Sequence, residues 1–139
     1  MNSTRHAKAY QNAERQAFAE SDDPHALIAI LFDELLRRMK LFAIEVEEHP
    51  SNSLEQSEHY SRSLAILYGL QSSLNFEVGG EIANNLFRLY EYSRQQLLNS
   101  PQTKEVAGLN AAIESLDVIR DAWHQLGNSK REQTGVQAQ

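Results

Sequence analysis

Apolar residues recur every three or four positions through four long stretches of the chain, and that spacing predicts four amphipathic helices. The first runs from Pro24 to Glu48. Ile28, Leu31, Leu35, Met39, Phe42 and Val46 form its stripe, and Leu27, Ile30 and Phe32 widen it. Just ahead, Ser21, Asp22 and Asp23 carry oxygens that can accept from free amides, and Pro24 suits a first turn. The second helix follows Ser53, which stands in capping-box spacing to Gln56, and runs to about Leu74. Tyr60, Leu64, Leu67 and Leu74 mark its face, with Ile66, Tyr68 and Leu70 beside it. The third is expected from Gly80-Glu81 to near Asn99, with Ile82, Leu86, Leu89, Tyr90 and Leu97 along it. The fourth is expected from about Thr103 to Leu126, carrying Val106, Leu109, Ile113, Leu116, Ile119, Trp123 and Leu126.

The breaks between these stretches are short. Pro50 and Pro101 mark two of them and the pair Gly79-Gly80 marks the third. Glycine takes a positive φ at little cost, so the pair reads as a corner. No strand precedes it and no Lys follows it, so it matches no phosphate-binding loop. Short connectors force successive helices antiparallel. The expected fold is therefore all-α, an antiparallel up-down-up-down four-helix bundle with a short N-terminal helix or arm over Ala7 to Phe18. The layout reads as an arm over 1–20, a bundle over 21–127 and a polar, disordered tail over 128–139.

Composition narrows the function classes. The chain has 139 residues, the size of one domain, and no cysteine, which removes disulfides and thiolate metal sites. A net charge of −6 argues against nucleic acid, and the short basic group Arg37, Arg38, Lys40 reads as helix surface. No apolar run approaches the ~20 residues of a membrane span, so no membrane insertion is expected and a soluble, cytoplasmic protein is. Five histidines invite a test for chemistry. A phosphotransfer histidine is usually followed by Lys and Gly, but His59 lacks the glycine and His25 lacks both. A di-iron bundle needs Glu-x-x-His pairs, and the nearest matches, Asp121 with His124 and Asp22 with His25, have no Glu. No nucleophile–base constellation stands out. The expectation is a binding module with no catalytic residue, no metal and no cofactor. Phe32, Phe87 and Tyr92 lie off the main stripes, and Tyr10 and Phe18 precede the bundle. Any one of them alone reads as part of a wide core, but together they leave room for an apolar groove that takes a partner's amphipathic helix.

Four segments in order carry a family resemblance: "AYQNA" at 9–13, "P-x-x-LI-x-x-LFDELL" at 24–36, "GGEIANNLFRLYEY" at 79–92 and "IRDAW" at 119–123. Together they resemble the FliS family of flagellin-specific export chaperones, over about Ala9 to Leu126. Two positions depart from the family's usual pattern. Asp22 and Asp23 replace small residues before the proline, and Glu34 stands where a Gly usually follows the aspartate of "LFD". The resemblance implies a cytoplasmic chaperone that is not an enzyme. It would bind the C-terminal segment of flagellin, prevent premature polymerisation and aid delivery to the flagellar type III export gate. A co-chaperone is a further implied partner, and the protein is expected as a monomer or homodimer. The residues expected to meet the partner are Tyr10, Leu64, Tyr68, Phe87 and Tyr90, with the Tyr10 arm folding over a groove when flagellin is absent. The rival expectation is a helical adaptor for another flagellar or secretion component.

Overall fold

The computed structural model describes residues 23–48 and 53–137, with side chains through Ser129. They form four helices: α1 Pro24–Glu48, α2 Leu54–Ser72, α3 Phe76–Thr103 and α4 Ala107–Gln137. There is no strand among the described residues. The N-terminal arm, including Tyr10 and Phe18, and the His49–Asn52 connector lie outside them.

Local chemistry accounts for the starts. At α1, Asp23 Oδ1 accepts from the Ala26 amide at 3.1 Å, which leaves the expected boundary at Pro24 in place. At α2, Ser53 Oγ accepts from the Gln56 amide at 3.0 Å. Only that half of the capping box forms, because the Gln56 side chain makes no return bond. At α3 the cap is Asn75, whose Oδ1 accepts from Glu77 and Val78 amides at 3.1 Å. A full turn, Phe76 to Gly79, therefore precedes the break at Gly80. Gly80 then leaves helical geometry at φ 52 and ψ −124, and the helix resumes at Glu81. The corner itself is Ser73–Asn75, and the glycine pair is a kink one turn later.

Two other boundaries differ from the sequence reading. α3 runs past Pro101 to Thr103 and closes at Lys104, which adopts a left-handed conformation with its amide donating to Ser100 O at 2.8 Å. A proline in the last turn removes one backbone bond but need not end a helix immediately. α4 continues to Gln137, so the stretch expected as a disordered tail over 128–139 is helical for most of its length. Its Ser, Lys, Arg, Glu and Gln carry no helix-breaking proline. Gly127 does not stop the helix, because a closer packing need holds it there: a Cβ at 127 would lie 2.8 Å from the His25 ring.

The helices pack in a ring. α1 lies against α2 and α4, and α3 lies against α4 and α2. His25 of α1 lies against Trp123 and Gly127 of α4, and Asp33 meets Arg120 and His124, so partner numbers fall as α1 advances and the two run antiparallel. The core is built from Phe32, Leu35, Met39 and Phe42 of α1, Ile66, Leu67 and Leu70 of α2, Tyr90 and Leu97 of α3, and Leu109, Ile113 and Leu116 of α4. Small residues line the buried side of α3 at Ala83, Ser93 and Ser100. The two serines satisfy their hydroxyls on Leu89 O and Gln96 O, which lets the helix approach closely without an unbonded polar group.

A ring stack fastens the free start of α1. His25 and Trp123 lie parallel, with centroids 4.1 Å apart. Trp123 Nε1–H donates to His25 O at 2.9 Å, and His25 Nε2 reaches Trp123 O at 2.7 Å. A carbonyl only accepts, so Nε2 carries the proton in this contact. Glu34 is also absorbed locally. Burial pushes its carboxyl up, but hydrogen bonds from Arg38 and Arg37 outweigh that and hold it below the usual range.

Candidate functional site: an apolar shelf beyond the end of α2

The site follows from the register of α2 on α3. Gln71, in the last turn of α2, donates to Glu91 Oε2 at 3.1 Å. Glu91 lies far along α3, so the part of α3 before it runs past the point where α2 stops. From Glu81 to Glu91 that overhang is about 15 Å at 1.5 Å per residue. On that side no helix among the described residues covers α3, and Leu86 and Leu89 pack it against the core from behind.

The outward face of α3 before Glu91 keeps its apolar side chains in water. Ile82 is 71% exposed and Val78 86% exposed. Phe76 and Phe87 are half-exposed and meet edge to face with centroids 6.0 Å apart. Tyr68, on the last turns of α2, is 56% exposed. Leu74 and Leu86 are half-buried and pack against the core beneath. Gly80 is what aims the first turn, because the positive φ there turns Phe76 back toward Phe87.

The expected partner residues are distributed unevenly. Phe87, at 41% exposure, stands on this surface, and Tyr68 is exposed on α2. Leu64 is half-buried against the core on α2 and is reachable only in part. Tyr90 is not on the surface: it is 3% exposed, its ring tilts against Phe32 at 6.4 Å, and burial pushes its hydroxyl up to about 12. Phe32, expected off the main stripe, is core for the same reason. α3 presents its small residues to the bundle, and the space they leave draws both rings inward. Tyr10 lies outside the described residues. Sequence reasoning overlooked Phe76, Val78 and the outward turn of Ile82. The Asn75 cap was the available sign of a turn ahead of the glycines.

The shelf contains no arrangement suited to bond-making chemistry. Among the described residues no cluster of three His, Asp or Glu could hold a metal, and no helix is long and apolar enough to cross a membrane. The polar groups nearest the shelf pair with each other. Hydrogen bonds from Arg94 and then Gln71 pull the Glu91 carboxyl down to about 2.

Comparison with known proteins agrees with the motif order. The model of the family described as flagellar protein FliS matches residues 6–130. The chain is 32% identical over 123 residues to the flagellar secretion chaperone FliS of Salmonella typhimurium, covering 86% of this chain and 87% of that protein. It is 30% identical over 118 residues to the flagellar secretion chaperone FliSB of Pseudomonas aeruginosa, covering 84% and 90%. A match of that extent, carried by helices that fold into one continuous bundle, places the chain in the FliS family.

Proposed function

We propose that this protein is an export chaperone of the flagellar secretion system that holds the C-terminal segment of flagellin on the α3 overhang. The observation that carries the reading is the shelf itself: Phe76, Val78, Ile82 and Phe87 exposed together on one helix end, in a chain of this family. A disordered segment loses much conformational freedom on binding, so it needs a large apolar contact to bind usefully. A bundle ordered beforehand adds little to that cost. An amphipathic segment seated here has its apolar stripe shielded, which blocks the helix pairing by which subunits would polymerise. The complex would then travel from the cytoplasm to the export gate, with release needing no nucleotide.

The test is titration calorimetry with flagellin and with flagellin lacking its C-terminal segment. Full-length flagellin should bind and the truncated form should not. In the same assay Phe87→Ala should weaken binding. Phe87 exposes 41% of its surface, about 80 Å² of a ~200 Å² side chain, so covering it is worth about 2 kcal/mol. That corresponds to roughly thirtyfold in affinity. Equal binding of truncated flagellin would move the site to another part of the partner and favour the adaptor reading.

A further inference from the structure

The opposite end of the bundle holds a second feature that the shelf does not use. A cavity of about 200 Å³ opens there between the C-terminal half of α1, the first turns of α2 and the last turn of α3. Phe42, Gln56, Ser57, Tyr60 and Pro101 line it. Phe42 and Tyr60 meet at 5.6 Å between centroids and give it an aromatic wall. Gln56 is the unusual member. It is 3% exposed, and neither its Nε2 nor its Oε1 has a hydrogen-bond partner among the described residues. A primary amide in that state has both donors and its acceptor unspent, and leaving them so is costly. Turning it toward the cavity breaks no existing bond.

The rim of this end is acidic. Among the described residues, Glu47 and Glu48 end α1, Glu55 and Glu58 begin α2, and Glu105 follows α3, all exposed, beside Lys104. Three properties therefore coincide at one place: an apolar cavity of side-chain size, an amide able to pair with both N–H and C=O of a peptide unit, and a negative rim. We propose that this cavity is a docking site for a short extended segment of a protein partner, one apolar residue flanked by Lys or Arg. The apolar side chain enters between Phe42, Tyr60 and Pro101. Gln56 bonds the adjoining peptide amide, and the glutamates attract the flanking cations. The site lies at the far end from the shelf and does not depend on the flagellin reading.

The probe is the capped tripeptide acetyl-Lys-Leu-Lys-amide, titrated into the isotopically labelled full chain and followed by nitrogen–proton correlation spectra. Saturable shifts are expected at the Gln56 side-chain amide and at the Ser57 and Tyr60 backbone amides. Gln56→Leu should weaken binding about fivefold, the worth of a typical hydrogen bond. Acetyl-Glu-Leu-Glu-amide should bind more weakly than the lysine peptide, and acetyl-Lys-Ser-Lys-amide should lose the shifts at Tyr60. These two peptide comparisons use the unaltered protein and stand whether or not the variant folds. The proposal is overturned if no saturable shift appears at Gln56, Ser57 or Tyr60. Equal binding of the lysine and glutamate peptides, or of the leucine and serine peptides, overturns it too.

Discussion

Replacing Gly80 by alanine separates backbone strain from packing, because the two are unlinked at this position. Gly80 sits at φ 52 and ψ −124, which L side chains rarely adopt, yet a Cβ built there meets nothing within 4 Å. The cost is therefore the dihedral alone, about 1–3 kcal/mol. The chain has one way to avoid it, which is to let the Phe76–Gly79 turn swing free. That forfeits the Asn75 cap, worth about 1 kcal/mol, and the Phe76–Phe87 contact, worth about 0.5–1.5 kcal/mol. The cheaper route wins, so the loss should fall near 1–2.5 kcal/mol. Urea unfolding followed by circular dichroism reads it, as does a melting temperature lower by roughly 4 °C per kcal/mol. Hydrogen exchange separates the routes: if the turn is released, the Gly79 amide, which donates to Asn75 O at 2.8 Å, exchanges much faster. D-alanine at the same position, introduced by ligation, should match or slightly exceed the glycine protein, since positive φ suits it. At Gly79 a Cβ would fall 2.9 Å from Ala83 Cβ, so alanine there costs by crowding within a helical turn. If L-alanine at 80 costs under about 0.5 kcal/mol and D-alanine shows no advantage, the strain reasoning is refuted.

Glu91→Gln should flatten the acid limb of stability. The folded carboxyl is held down at about 2 against an ordinary 4.5, so its contribution is complete above about 4.5 and is lost as pH falls through that window toward 2. Urea midpoints between pH 2 and 5 test this, and parallel pH slopes for the two proteins would contradict it. His25→Ala removes the ring stacked on Trp123 and should cost about 1–2 kcal/mol, with Trp123 emission shifting to the red as its exposed face gains water. Because the chain has one tryptophan, unchanged emission would mean that the stack does not hold in solution.

What the sequence makes legible here is what local chemistry decides. Both ends of α1 agree with the reading, because Asp23, Pro24 and an apolar stripe of constant spacing act within a few residues of one another. Four helices in a ring also follow from local signals, since short connectors leave successive helices little choice. The faces are less legible. A stripe drawn on one helix counts large apolar residues and ignores Ala83, Ser93 and Ser100, yet those small residues decide which side of α3 approaches its neighbours. Tyr90 goes inward to meet Phe32, against the expectation that Tyr90 lines a groove, while Phe32 is core as a residue that widens the α1 stripe.

The shelf was the hardest part to see, for a physical reason. Ile82 has the same spacing to Leu86 and Leu89 as a core residue has, and on a bundle of equal helices it would be buried. It is exposed because α2 ends at Ser72 while α3 starts with a capped turn, a kink and about ten more residues before it meets α2 at Gln71–Glu91. Exposure here depends on which side of α3 turns inward, the side of Ala83, as well as on register between two helices, and both are set by long-range contacts that no single window contains. The same mismatch leaves Phe76, Val78, Ile82 and Phe87 in water. Covering them would require lengthening α2, which would fill the surface where a partner's apolar stripe can sit. Added length on α2 should therefore raise stability and lower partner affinity together, whereas polar substitutions at Val78 and Ile82 should lower affinity with little change in stability.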